Sequence, residues 1–147
     1  MGIARDNALG LLRATNDAQR TGLILAAEAG HFQAVRLLIH EGADIHAKDF
    51  RGDTALMRAS VWGHLDVCEY ILSISPKAIL DRNNVGGTPL HKCSRWGHPQ
   101  VAKLLLDAGA DPDVFNTEGD SPATLARDYG NDKISRLFIQ ANAGPKP

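Results

Sequence analysis

The side chains best suited to making contacts recur at a fixed interval. Ala29, Trp62, Trp96 and Tyr129 each directly precede a glycine, and those glycines (Gly30, Gly63, Gly97 and Gly130) stand 33, 34 and 33 residues apart. Both tryptophans of the chain therefore share one position in a repeated unit. Large aromatics at such a position suit contact with another macromolecule, where truncating one often costs about 2 kcal/mol or more. Phe50 and Phe115 add two more rings. Arg51, Arg58, Arg82, Lys92 and Arg95 gather a basic group in the middle of the chain, and Glu118, Asp120 and Asp128 follow it. A basic centre with an acidic edge suits a partner segment that carries acidic and apolar residues and binds in one orientation. Trp and Arg can also stack on nucleic acid bases, but a formal net charge of −1 supplies no field for a phosphate backbone, which argues against that class.

Other chemistry finds less support. His31, His64 and His98 each follow a recurring glycine, so their spacing is that of the repeat, and they are expected to cap the following helix or to pack locally. His40, His46 and His91 stand in no Cys/His pair at zinc spacing, so no metal site is expected. Cys93 and His91 are two residues apart, which on one helix points them to different faces and rules out a nucleophile–base pair. Gly86-Gly87-Thr88 lacks the Gly-Lys-Ser/Thr ending of a phosphate loop and reads as a turn followed by a helix cap. No catalytic residue and no cofactor are expected.

The elements that hold these residues repeat with them. Thr21, Thr54, Thr88 and Ser121 can each cap a short helix through a hydroxyl, and Pro89 and Pro122 follow their caps where a missing N–H costs nothing. The recurring glycine ends that helix. A second helix carries Val35–Ile39, Val67–Leu72, Val101–Leu106 or Ile134–Ile139, with apolar residues at helical spacing. Asp49–Gly52 and Asn83–Gly86 read as turn tips.

The run Thr88-Pro89-Leu90-His91, in phase with three looser copies, resembles the signature of the ankyrin repeat family over residues 16–142. The resemblance implies an all-α solenoid of four stacked helix–turn–helix repeats with short turn tips. The expected units are an N-terminal capping helix over 1–15, repeats over 16–48, 49–82 and 83–115, a C-terminal capping repeat over 116–142, and a disordered tail over 143–147. The second repeat carries one extra residue near 73–80, expected as a bulging loop because Pro76 bars a continuous helix. The signature histidine occurs only at His91; Ile24, Met57 and Thr124 replace it elsewhere.

The resemblance further implies protein–protein recognition through a concave face lined by the first helices and the turn tips, by an adaptor, scaffold or inhibitor. The contact residues expected there are Phe50, Arg51, Asp53, Arg58, Trp62, Arg95, Trp96, Phe115 and Tyr129. Trp62 and Trp96 would be the anchors, and Arg51, Arg58 and Arg95 would select acidic groups. The alternatives are tryptophans that merely cover the stack, or an array that is a segment of a larger polypeptide docking on another domain or on a second copy. Cys68 and Cys93, the only cysteines, sit at small or apolar helix positions, which favours reduced buried thiols and a cytoplasmic or nuclear setting. The sequence carries no secretory signal or transmembrane run, so no membrane partner is expected.

Overall fold

A computed structural model of the chain describes residues 10–142. Its helices come in pairs: α1 (Gly22–Ala29) with α2 (Phe32–His40), α3 (Ala55–Trp62) with α4 (Leu65–Ile74), α5 (Pro89–Trp96) with α6 (Pro99–Asp107), and α7 (Pro122–Asp128) with α8 (Asp132–Asn142). The first helices α1, α3, α5 and α7 pack side by side in one row, and the second helices form the row behind them. This is the all-α repeat solenoid that the resemblance implies. Of the expected capping helix over 1–15, residues 10–13 are helical and 14–15 are not; residues 1–9, and the expected tail over 143–147, lie outside the described residues. No helix among the described residues is long and apolar enough to cross a membrane.

Local chemistry starts each first helix as expected. The hydroxyls of Thr21, Thr54, Thr88 and Ser121 accept from the backbone N–H three residues on. In α5 the cap is reciprocal. His91 accepts the Thr88 N–H at Nδ1 over 3.1 Å, and its Nε2 lies 3.0 Å from the Asp120 carbonyl of the next tip. Nδ1 is thus an acceptor, so Nε2 carries the proton and donates. Burial pushes the His91 pKa below its usual value.

Between the rows lies one continuous apolar layer. α6 is representative: Val101, Ala102 and Leu105 fall on one helical stripe and are fully buried, while Lys103 points to solvent. Burying each Leu or Val of this kind stabilises the fold by about 1.5–3 kcal/mol relative to leaving it exposed. Cys68 and Cys93 lie in this layer as free thiols, and burial pushes the pKa of Cys68 up to about 12 and raises that of Cys93 as well. Both therefore stay protonated and act as small apolar side chains.

The tips carry a second, polar repeat. Asn16, Asp49, Asn83 and Asn116 each accept two backbone N–H groups, two and four residues on, closing the turn. Neighbouring tips are joined by backbone bonds from Phe50 N–H to the Ala18 carbonyl, Asn84 to Arg51, and Thr117 to Val85. The turn needs a left-handed residue at its fourth position. Gly52, Gly86 and Gly119 supply it, but in the first tip Gln19 is held at φ 58°.

The segment with the extra residue is not the bulging loop the sequence suggests. α4 stops at Ile74, and Pro76–Leu80 form a 3₁₀ helix with Pro76 at its start and Ala78 fully buried. Proline ends the α-helix yet suits the first turn of the next, so the added residue becomes helix rather than slack.

Candidate binding face

Trp62 and Trp96 end helices α3 and α5, and Tyr129 follows α7 directly. They are 58%, 56% and 54% exposed, so more than half of each side chain is open to solvent. The tryptophans border a groove of about 510 Å³ whose lining includes Val61 and His98, with Arg51, Arg58, Lys92 and Arg95 around them. A second groove, of about 540 Å³, runs between Trp96 and Tyr129 and is lined by Arg95, Leu125 and the acidic Glu118, Asp120 and Asp128. Arg95 is common to both. Its guanidinium lies 5.6 Å from the Trp96 ring centroid and 5.3 Å from that of Tyr129, within cation–π range. Arg51 is similarly placed over Phe50, at 5.4 Å. Phe50 and Phe115 are exposed but line neither groove.

Two of the expected contact residues are committed inside the chain. Asp53 is a turn-tip residue by sequence, yet its side chain is 0% exposed. It accepts from Asn83 Nδ2 at 2.9 Å and from Lys92 Nζ at 3.1 Å, and faces Arg58 at 3.5 Å. Arg58, 12% exposed, also pairs with Glu28. Glu28 takes a bond of 2.8 Å from Arg20, whose Nε faces Asp49 at 3.6 Å. Three carboxylates and three cations thus alternate in one file across the first three tips and helices. A desolvated carboxylate needs such partners, because its charge is costly to bury alone. Asp53 is therefore a scaffold residue and not a partner contact, and Arg58 is spent on Glu28 and Asp53 rather than open to an acidic ligand. Arg51 and Arg95 are exposed and have no carboxylate partner among the described residues.

Two of the three recurring histidines lock the array. His64 and His98 make no capping bond to the helices they precede. Their rings reach back one repeat instead: His64 Nε2 lies 3.0 Å from the Glu28 carbonyl, and His98 Nε2 lies 2.7 Å from that of Val61. In the last pair Asn131 does the same, donating to the Ser94 carbonyl at 2.6 Å. The ring of His98 lies where a Cβ on Gly63 would be, 2.4 Å away, and Gly63 also has φ 73°. Glycine is needed there twice over, for the left-handed backbone and for the ring from the next repeat.

His46 joins two loops. Its Nδ1 lies 2.7 Å from Asp81 Oδ2 and its Nε2 lies 3.0 Å from Ser75 Oγ. Hydroxyl, imidazole and carboxylate stand in the order of a hydrolase triad, but the backbone beside Ser75 offers an oxyanion little. Pro76 has no N–H, and the N–H groups of Ser75 and Ala78 are spent on the Ile71 and Ser75 carbonyls. The arrangement braces the 3₁₀ segment. Among the described residues, no three His, Cys, Asp or Glu side chains gather as a metal ion would require.

Comparison with known proteins agrees with this architecture. The family described as ankyrin repeats (3 copies) matches residues 4–84, 23–116 and 77–146. The ankyrin repeat protein YahD of Escherichia coli is 29% identical, over 92% of this chain and 87% of its own length. A homologue of transient receptor potential cation channel subfamily A member 1 from Caenorhabditis elegans is 28% identical over 85% of this chain, which spans 10% of that protein. The target of rapamycin complex 2 subunit AVO2 of Saccharomyces cerevisiae is 29% identical over 81%, and the chain spans 28% of it.

Proposed function

Because the chain belongs to the ankyrin repeat family, whose repeats are generally non-catalytic protein–protein interaction modules, we propose that it binds a partner protein through the face carrying Trp62, Trp96 and Tyr129. One observation carries the reading: three large aromatics, each more than half exposed, occupy one register of three adjacent repeats. Packing alone does not call for them, since Ala29 fills the same position in the first repeat. Exposed aromatics aligned in this way form a contact stripe. With both grooves beside them, Trp62 and Trp96 are the anchors, and Arg51 and Arg95 favour a partner segment with acidic and apolar residues. A preformed scaffold of this kind binds with little backbone change. The buried protonated thiols fit work in a reducing compartment, cytoplasmic or nuclear.

Affinity capture from a cell lysate with wild type and the Trp62→Ala/Trp96→Ala variant tests the reading, after circular dichroism has established that both are folded. Partner capture by wild type alone is the expected result. Equal capture by both would move the site off this face. A second reading has support in the 10% and 28% shares of two relatives that the chain spans: an array within a larger polypeptide, whose stripe docks on another domain or a second copy.

A further inference from the structure

We infer that the groove between Trp62 and Trp96 selects a single anionic side chain, set among apolar residues of an extended partner segment, with Arg51 and Arg95 as its ligands. The inference rests on the proposed partner-binding face and adds the chemistry that the face selects. No acidic residue lines this groove, whereas four cationic side chains do. Two of the four are neutralised from below: Lys92 by Asp53, and Arg58 by Asp53 and Glu28. The other two, Arg51 and Arg95, are the exposed ones, and each is stacked on an aromatic ring that limits its orientations. A guanidinium held in this way retains its in-plane donors for a carboxylate or phosphoryl group. The tryptophans on either side provide apolar surface for the flanking residues. The neighbouring groove, with Glu118, Asp120 and Asp128, repels an anion and sets where along the face it sits.

Carboxylate and phosphoryl side chains share this chemistry, so the test separates them. Random twelve-residue peptides displayed on phage are selected on the wild-type protein, and the recovered sequences are synthesised. Binding is followed by the anisotropy of a fluorescent label on each peptide, a readout that also serves the variant lacking both tryptophans of the chain. The expected result is an acidic residue beside apolar ones in the recovered peptides. Affinity should fall about tenfold for each of Arg51→Gln and Arg95→Gln, the loss of one charged hydrogen bond. Phosphoserine in place of the acidic residue binds more tightly if the natural group is phosphoryl, and less tightly if it is carboxylate. Peptides without an acidic residue, or affinities unchanged in both arginine variants, would overturn the inference; if the Trp62→Ala/Trp96→Ala variant still loses them, the binding face itself stands. Peptides lost only in the arginine variants would uphold anion selection and remove the aromatic anchors. Recovery of no peptide, together with dimers in sedimentation that vanish in the tryptophan variant, would assign the face to a second copy and overturn the inference.

Discussion

Individual residues in this chain carry strain and charge that the repeat pattern makes measurable. Gln19 stands where the other three tips have glycine, and it adopts the same left-handed backbone, at φ 58°. A side chain there costs about 1–2 kcal/mol, partly offset by the extra freedom glycine has when unfolded. Gln19→Gly should therefore stabilise the protein by about 0.5–1 kcal/mol in urea unfolding; a loss of stability would mean that the side chain makes up for its backbone. His91 gives a pH prediction whose sign follows from its bonds. In the folded chain Nδ1 accepts from Thr88, so protonation would set two donors against each other, and burial already lowers the pKa. Above about pH 6.5 both folded and unfolded states hold a neutral ring. Below it the unfolded chain takes up the proton first, and stability falls as the pH drops through the folded value. The melting temperature of wild type should decline from pH 7 to pH 5 more steeply than that of His91→Gln, whose amide does not titrate.

The elements were legible in the sequence to the extent that their causes are local. Hydroxyl caps, the glycine stops and the apolar stripe of α6 all act within a few residues, and the positions of helices and tips follow from them. Trp62, Trp96 and Tyr129 were legible as one stripe for the same reason, since the period alone aligns them. What joins one repeat to the next was not. The partners of Asp53 include Asn83, 30 residues on, and Lys92, 39 residues on, so a tip residue that reads as exposed is in fact enclosed. Nor does a helical pattern reveal that His64 and His98 reach backwards, or that Pro76 begins a 3₁₀ helix. The enclosed carboxylate has a cost to match. Asp53→Ala removes the anion from Lys92 and Arg58 and should destabilise by about 3–5 kcal/mol, as breaking a buried pair does. Urea unfolding would read this directly; a loss below about 1 kcal/mol would place the network in the weak class of surface ion pairs.

At the scale of the whole molecule, what holds the stack is a series of like interfaces rather than one centre. Helices α1, α3, α5 and α7 touch mainly their neighbours in the row, and each boundary has its own back-reaching side chain: His64, His98 and then Asn131. Stability in such an array is close to a sum of repeat and nearest-neighbour terms. His64 and His98 serve successive boundaries and bond to the carbonyls of different residues, Glu28 and Val61. His64→Ala and His98→Ala should each cost about 1 kcal/mol, the net worth of one hydrogen bond, and the double variant should lose their sum to within about 0.5 kcal/mol. The urea m-value decides whether the array still unfolds as one body. It should stay unchanged, because the apolar layer between the rows remains continuous across both boundaries when the rings are gone. A fall in m for the double variant alone would show that the histidines, rather than the apolar layer, couple the second repeat to its neighbours.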